Sequence, residues 1–323
     1  MGRNWTVLIA LALVVTADGA AAQTYPARPI RMLVGFAPGG PADVMARLIG
    51  QRLYATLGQP IVIENRPGAG GTLAARLVAE SEPDGYTLLL GNTSTLVVGP
   101  LMYKNVGYDA LKAFAPIAWL GTTSDILVVN PKSPLKSVAQ LIAYANANPG
   151  KLNYSTPGIG TPPHLIGEML KLRAGIDIVH VPYKGGGPSI QAVIAREVDF
   201  TFENPQVALP LVQAGTVRAL AVTSAKRDPQ APDVPTLIES GLPGFVSESF
   251  TGVVGPAGIP ATIVARLNTA INESLGSPQV AATLAKLAVD AKEEPPEKFG
   301  AFLAAELANM APVVKAAGLL GVQ

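Results

Sequence analysis

The chain has 323 residues, 49% hydrophobic and 15% charged, enough for a sizeable buried core and more than one domain. A formal net charge of +1, with no run of Lys or Arg, excludes the basic stripe of a nucleic-acid binder. The absence of cysteine excludes a disulfide framework, a thiolate metal site, a cysteine nucleophile and the lipidated cysteine of a bacterial lipoprotein.

Residues 1–22 read as a cleavable export signal. Arg3 supplies a positive start, and Trp5 to Val15 is an apolar run. That run is about eleven residues, short of the roughly twenty that span a bilayer. Ala20-Ala21-Ala22 forms an A-x-A cleavage pattern, leaving Gln23 as the first mature residue. The expected product is a soluble, exported chain.

The first strand is expected at Ile30 to Val34, followed by the stretch VGFAPGGPAD and a helix from Ala42 to Leu57. Val44, Leu48, Ile49, Leu53 and Leu57 are spaced to share one helical face. The start of such a helix leaves backbone N–H groups unpartnered and carries the positive end of the helix dipole. Gly39 and Gly40 let a ligand approach that backbone, so the expected guest is an anion. An ordinary strand–helix connection is written in the same letters, and recurrence of the device is what favours a site.

A second strand, Ile61 to Glu64, leads into NRPGAGG and a helix from Thr72 to Glu80. Leu73 stands where a dinucleotide fingerprint needs its third glycine, so no cofactor is expected here. Tyr86 to Leu90 is a strand opening into Gly91-Asn92-Thr93-Ser94-Thr95. Hydroxyls at a strand's carboxyl end suit ligand contact, and equally suit capping of the next helix. Strands at Ala115 to Leu120 and Ile126 to Asn130 flank a small polar connector, Gly121 to Asp125, read as a crossing between domains. Ser137 is placed to cap a helix through Asn146.

NYSTPGIGTPPH, Asn153 to His164, repeats strand, glycine loop and helix, the helix running to Leu172. A strand from Ile176 runs into VPYKGGGPS and a helix from Ser189 to Arg196, the third such terminus. Lys184 is the charged donor beside it. Then follow a strand Asp199 to Phe202 ending in Glu203-Asn204, a helix Gln206 to Ala214, a strand Ala219 to Thr223, and a strand Phe250 to Val254 crossing back. Helices at Ala261 to Leu275, Pro278 to Leu287 and Pro296 to Ala317 close the chain. Strands alternating with helices predict an α/β fold with largely parallel sheets.

Catalytic groups are scarce. The two histidines are His164, beside a glycine loop, and His180, in a strand. There is no G-x-S-x-G elbow, no Walker lysine and no His or carboxylate cluster at metal spacing. Backbone amides, glycines and hydroxyls can hold an anion but have little with which to transform it. Three glycine–helix termini and a hydroxyl loop, split between two halves, suit a ligand held in a closing cleft.

Several motifs carry a family resemblance: YPARPIRMLVGFAPGGPAD, IENRPGAGG, DGYTLLLGNTST, KNVGYDALKAFAPIA, NPGKLNYSTPGIGT with His164-Leu165, VHVPYKGGGPS, AGTVRALAVTS and GPAGIPATIVARLN. In this order and spacing the chain resembles the Bug proteins, the periplasmic substrate-binding proteins of tripartite tricarboxylate transporters. The resemblance implies a two-domain periplasmic-binding-protein fold, the Venus flytrap, with a ligand cleft between the domains. It divides the mature chain into residues 23–124, 125–246 and 247–323, the first and last forming one domain. It implies a small carboxylate ligand, membrane permease subunits as partners, a monomer, and neither cofactor nor metal. Phe36, Pro38, Gly39, Gly40 and Asp43 would meet a ligand carboxylate, with Thr93 and Ser94 facing the same cleft. Ser155, Gly160, Thr161, His164, Tyr183, Lys184, Gly185 and Gly186 would contribute from the second domain. Where the family commonly has aspartate, this chain has Glu203, which can bind a ligand ammonium or a water, or repel a second carboxylate. Two other outcomes are kept: a receptor that reports to a signalling partner, and an exported α/β enzyme acting on a small acid.

Overall fold

A computed structural model describes residues 25–322, so the expected signal at 1–22 lies outside the described residues. The first part of the chain forms β1 (Ile30–Val34), α1 (Pro41–Leu57), β2 (Ile61–Asn65), a 3-10 turn (Ala69–Gly71), α2 (Thr72–Ala79) and β3 (Thr87–Asn92). A π-helical segment (Ser94–Val98), a one-turn α3 (Gly99–Met102) and the long β4 (Phe114–Ser124) follow. The middle part forms β5 (Ile126–Val129), α4 (Val138–Ala147), β6 (Asn153–Thr156), α5 (Pro162–Ala174), β7 (Val179–Pro182), α6 (Gly186–Ala195), β8 (Phe200–Glu203), α7 (Pro205–Gln213) and β9 (Arg218–Val222). The chain then returns through β10 (Glu248–Pro256), α8 (Ala261–Leu275), α9 (Pro278–Lys286), β11 (Asp290–Ala291) and α10 (Pro296–Ala316). None of the described helices is long and apolar enough to cross a membrane.

Local signals place most of these elements. Ser137 Oγ accepts the Gln140 N–H and starts α4 as expected. Gly58 ends α1 in the left-handed conformation at φ 74°. The expected face of α1 needs correction. Val44 is 40% exposed, and the buried stripe is Met45, Ile49, Leu53 and Leu57. The helix rolls by about one residue because Gly50 lets it settle on Ile61 and Ile63 of β2.

Two sheets result, in the orders β11-β4-β10-β3-β1-β2 and β7-β6-β8-β5-β9. Both are mixed, which corrects the expectation of largely parallel sheets. β1 is parallel to β2 and β3, and β6 to β7 and β8, while β10, β11 and β5 pair antiparallel with all their neighbours. The reason is the crossing: β4 carries the chain out of the first sheet and β10 brings it back, so they run in opposite directions. They pair from Phe114–Pro256 to Ser124–Glu248. The polar segment Gly121–Ser124, expected as a connector, is therefore strand, its backbone satisfied by that ladder, and Asp125 alone separates it from β5.

In the first sheet β1, β2, β3 and β4 run in one direction, so their carboxyl ends at Val34, Asn65, Asn92 and Ser124 share an edge. In the second, β6, β7 and β8 end together at Thr156, Pro182 and Glu203, where β5 begins. The crossing at Asp125 joins these edges, which sets every glycine loop of interest at the junction of the lobes. α10 ties the lobes from behind: Phe299 and Leu303 pack in the same core cluster as Met310, Val313 and Val314, which reaches Leu165, Ile166 and Met169 of α5.

Candidate functional site

The start of α1 is an uncapped helix terminus. Gly39 has φ 82°, Gly40 is extended at φ −78° and ψ 169°, and no side chain caps the helix. Among the described residues the N–H groups of Gly40, Ala42 and Asp43 have no acceptor. The Gly39 N–H has one: Asp43 Oδ2, at 2.9 Å. Asp43 is 3% exposed and also accepts from Arg47 Nε at 2.9 Å and from Asn65 Nδ2 at 2.9 Å. Arg47 and the Gly39 N–H together hold its carboxyl well below the usual carboxylate range. Asn65 Nδ2 also donates to the Phe36 carbonyl at 3.0 Å. Asp43 thus shapes the 36–43 loop from within, while Pro38 and Gly39 are exposed at its tip. Arg47 was legible as an i+4 partner of Asp43; Asn65 reaches the loop only because β2 lies beside β1.

The second glycine run is a spacer. A Cβ on Gly35 would lie 2.4 Å from Gly71 Cα, so the loops after β1 and β2 touch backbone to backbone. In the hydroxyl row, Thr93 Oγ1 accepts the Phe250 N–H at 2.8 Å and pins β10 to β3. Asn92 Oδ1 takes both the N–H and the hydroxyl of Thr95. Ser94 is half-buried, and its hydroxyl has no partner among the described residues.

In the second lobe, the loop after β6 is internally bonded. Ser155 is fully buried and donates to the Ser189 carbonyl at 2.9 Å, while Thr161 Oγ1 donates to the Gly158 carbonyl at 2.7 Å. Gly160 N–H donates to His164 Nδ1 at 3.1 Å. The α5 terminus is a weaker anion site than expected: Pro162 and Pro163 occupy its first two positions and have no N–H, which leaves His164 as the free helical donor. A Cβ at Gly160 would lie 3.0 Å from Met102 Cε of α3, so this loop meets the first lobe.

α6 starts at Gly186, three residues before the expected Ser189, so the glycines themselves form its first turn. Gly185 N–H goes to the Pro157 carbonyl at 3.0 Å. The N–H groups of Gly186 and Gly187 have no acceptor among the described residues. Tyr183 packs against the α6 cluster of Ala192, Val193 and Val198, and its hydroxyl makes a long 3.5 Å contact with Glu197. Lys184 is exposed and forms no ion pair among the described residues. Glu203 is 8% exposed, accepts the Asn204 N–H at 3.0 Å, and has both carboxyl oxygens within 4.0 Å of where a Gly186 Cβ would stand. Burial pushes its pKa up.

Among the described residues, no group of three or more His, Asp or Glu side chains converges as a metal would need. A surface cavity of about 540 Å³, lined by Leu73, Arg76, Lys104 and Val322 among others, contains none of these site residues.

Against known proteins, the model of the tripartite tricarboxylate transporter family receptor matches residues 45–319. The chain belongs to this receptor family. BugT of Bordetella pertussis is 39% identical over 321 residues, which cover 98% of this receptor and 98% of that protein. An R. palustris protein solved with adipate is 36% identical at a TM-score of 0.73, over 91% of this receptor and 98% of that chain. MatC from Rhodopseudomonas palustris, with bound malate, is 35% identical at 0.71, over 90% and 100%. The two-lobed α/β architecture is therefore that of a periplasmic binding protein.

Beneath the 157–161 loop the receptor buries a titratable cluster. The rings of His164 and His180 stack at 4.0 Å, His180 Nε2 lies 2.6 Å from Thr156 Oγ1, and Tyr154 and Lys171 both donate to Glu168. Burial lowers the pKa of His164, and burial and then His164 lower that of His180 to about 4. A histidine whose folded pKa lies below its unfolded value of about 6.5 binds its proton more readily in the unfolded chain. Stability is then complete above about pH 6.5 and falls as pH drops towards about 4. Melting temperature against pH should decline across that window in the wild type and decline less in His180→Gln. Parallel curves would show that the pair does not titrate on unfolding.

Proposed function

We propose that this receptor is a periplasmic solute-binding protein that captures a small carboxylate between its lobes and delivers it to the membrane permease of a tripartite tricarboxylate transporter. The observation that carries this reading is the start of α1, where the N–H groups of Gly40, Ala42 and Asp43 stand unpartnered at the junction of the lobes. A carboxylate there accepts charge-assisted hydrogen bonds and meets the positive end of a 17-residue helix. Ser94 and the Gly186 and Gly187 amides supply further donors from two other loops. Two relatives have dicarboxylates in their structures, adipate in one and malate in the other, which supports the same ligand class here.

In this reading residues 23–124 and 247–323 form one lobe and 125–246 the other, the leader at 1–22 is removed on export, and the chain acts as a monomer. The closing side chains are Phe36, Pro38, Ser94 and Lys184. Asp43, Thr93, Ser155, Thr161 and His164 hold the loops in shape, and Tyr183 contributes backbone.

The test is calorimetry on protein purified from the periplasm, then unfolded and refolded to strip carried ligand. The panel spans mono-, di- and tricarboxylates, aromatic acids and amino acids. A carboxylate should bind and raise the melting temperature without being consumed. Turnover of the ligand would rule for an enzyme, and silence across the panel would remove the carboxylate assignment.

A further inference from the structure

The second-lobe loop that meets the first lobe hangs on two histidine rings. It runs from Pro157 to Thr161, between β6 and α5, and a Cβ at its Gly160 would lie 3.0 Å from Met102 Cε of the first lobe. Pro162 and Pro163 open α5 without an N–H, so the start of the helix offers the loop no backbone donor there. Side chains hold it instead. Gly160 N–H donates to His164 Nδ1 at 3.1 Å. Gly158 N–H donates to Thr156 Oγ1 at 3.3 Å, and that hydroxyl lies 2.6 Å from His180 Nε2. The two imidazoles stack at 4.0 Å, so both glycines rest on one ring pair.

The bond at Gly160 fixes the protonation state of His164. A ring nitrogen that accepts carries no proton, so the neutral ring holds its hydrogen on Nε2. The next proton can enter only at Nδ1, the accepting atom. The imidazolium then turns an N–H toward the Gly160 N–H, two donors face each other, and the bond is lost. His164 is 5% exposed, so its charge would be buried. The ionisable groups around it are Glu168 and Lys171 of α5, His180 of β7 and Tyr154 of β6. Glu168 Oε1 already accepts from Tyr154 at 3.0 Å and from Lys171 at 3.1 Å, and a second positive ring repels the first. α10 and β8 contribute apolar residues to this core, Met310, Val313 and Phe200 among them. Burial accordingly holds the His164 pKa below its ordinary value. Lifting the loop lets water reach the ring, so the charged ring favours the lifted loop.

Resting on the carboxylate-receptor reading above, we infer that His164 is a positioning residue that locks the 157–161 loop against the first lobe only while its Nδ1 is unprotonated, so that acidification unlocks the loop and loosens the ligand. Linkage gives the sign. The closed loop binds the His164 proton less readily than the lifted loop, so affinity is complete above the ordinary histidine pKa of about 6.5 and falls as pH drops below it.

The first test needs neither ligand nor variant. Nitrogen-15 NMR of the stripped full chain, from about pH 7.5 to about pH 5, should show the Gly160 amide shifting and losing exchange protection in step with protonation of the His164 ring. A Gly160 amide that stays fixed while His164 protonates, or a His164 that stays neutral throughout, overturns the lock. The second test is calorimetry with adipate and with malate over the same range, on the wild type and on His164→Asn. The asparagine Oδ1 stands where Nδ1 stands and accepts at every pH, and titration of the ligand itself is common to both proteins. Wild-type affinity should fall by up to about thirtyfold more than that of the variant, the ceiling for one histidine titrating from its ordinary value. Equal declines overturn the lock and leave the carboxylate receptor standing. A titrating Gly160 amide with no binding of either acid at any pH keeps the loop lock and overturns the dicarboxylate form of the receptor reading.

Discussion

Gly40→Val is expected to weaken ligand binding by about a hundredfold while lowering the melting temperature by only a few degrees. The fold tolerates the change because Gly40 is extended at φ −78° and ψ 169°, a conformation valine adopts readily. A Cβ there meets the Ala37 carbonyl at 3.5 Å, an ordinary contact. The cost to the fold is the poorer N-cap, about 1 kcal/mol. The cost to binding is larger. Two branches at Gly40 cover the amides of Ala42 and Asp43, and each charge-assisted hydrogen bond to an anion is worth about 1.5–3 kcal/mol. Losing one to two of these corresponds to about a hundredfold in Kd. Calorimetry and a melting curve on the same sample separate the two effects. Unchanged affinity would move the site away from α1.

Gly167→Ala is expected to destabilise the fold by about 2 kcal/mol, against the usual sign for glycine to alanine inside a helix. Helix propensity alone would favour alanine by about 1 kcal/mol. Here the added methyl would stand 2.1 Å from Tyr154 Cε2 and 2.3 Å from Cζ. Tyr154 cannot move aside. It is fully buried, lies 5.6 Å from the Phe200 ring and 5.1 Å from the His180 ring, and donates to Glu168 at 3.0 Å. Overpacking at such a distance costs about 3 kcal/mol, so it outweighs propensity. The denaturation midpoint should fall with the slope unchanged. A stabilised variant would show that α5 does not sit on the tyrosine.

The same contrast runs through the site. Elements whose cause is local were legible from the letters. The buried runs of β1 and β3, the Ser137 cap, the Gly58 stop, and both bounds of α8 follow from periodicity and capping within a few residues. The order of the glycine motifs also carried the family, since those loops sit at strand ends whatever the sheet order. β11 and the π-helical segment escaped, because a two-residue strand and a single wide turn have no periodicity to read.

Which polar groups are free was not legible. Thr93 and Phe250 are 157 residues apart, yet the one accepts the other's N–H. Ser155 is spent on Ser189, Asp43 on Asn65, and Gly160 on His164. Each of these residue types reads as a ligand contact until its partner is known. The crossing adds a further case: Ile126 and Glu203 are far apart in sequence and become neighbours only through the pairing of β5 with β8. The sequence by itself determined an α/β chain whose strands run into glycine loops and helix starts, because hydrophobic period and glycine placement act over short spans. The tertiary structure alone decided which donors remain open and which strand ends meet, because hydrogen-bond saturation and strand pairing depend on neighbours that only folding brings together.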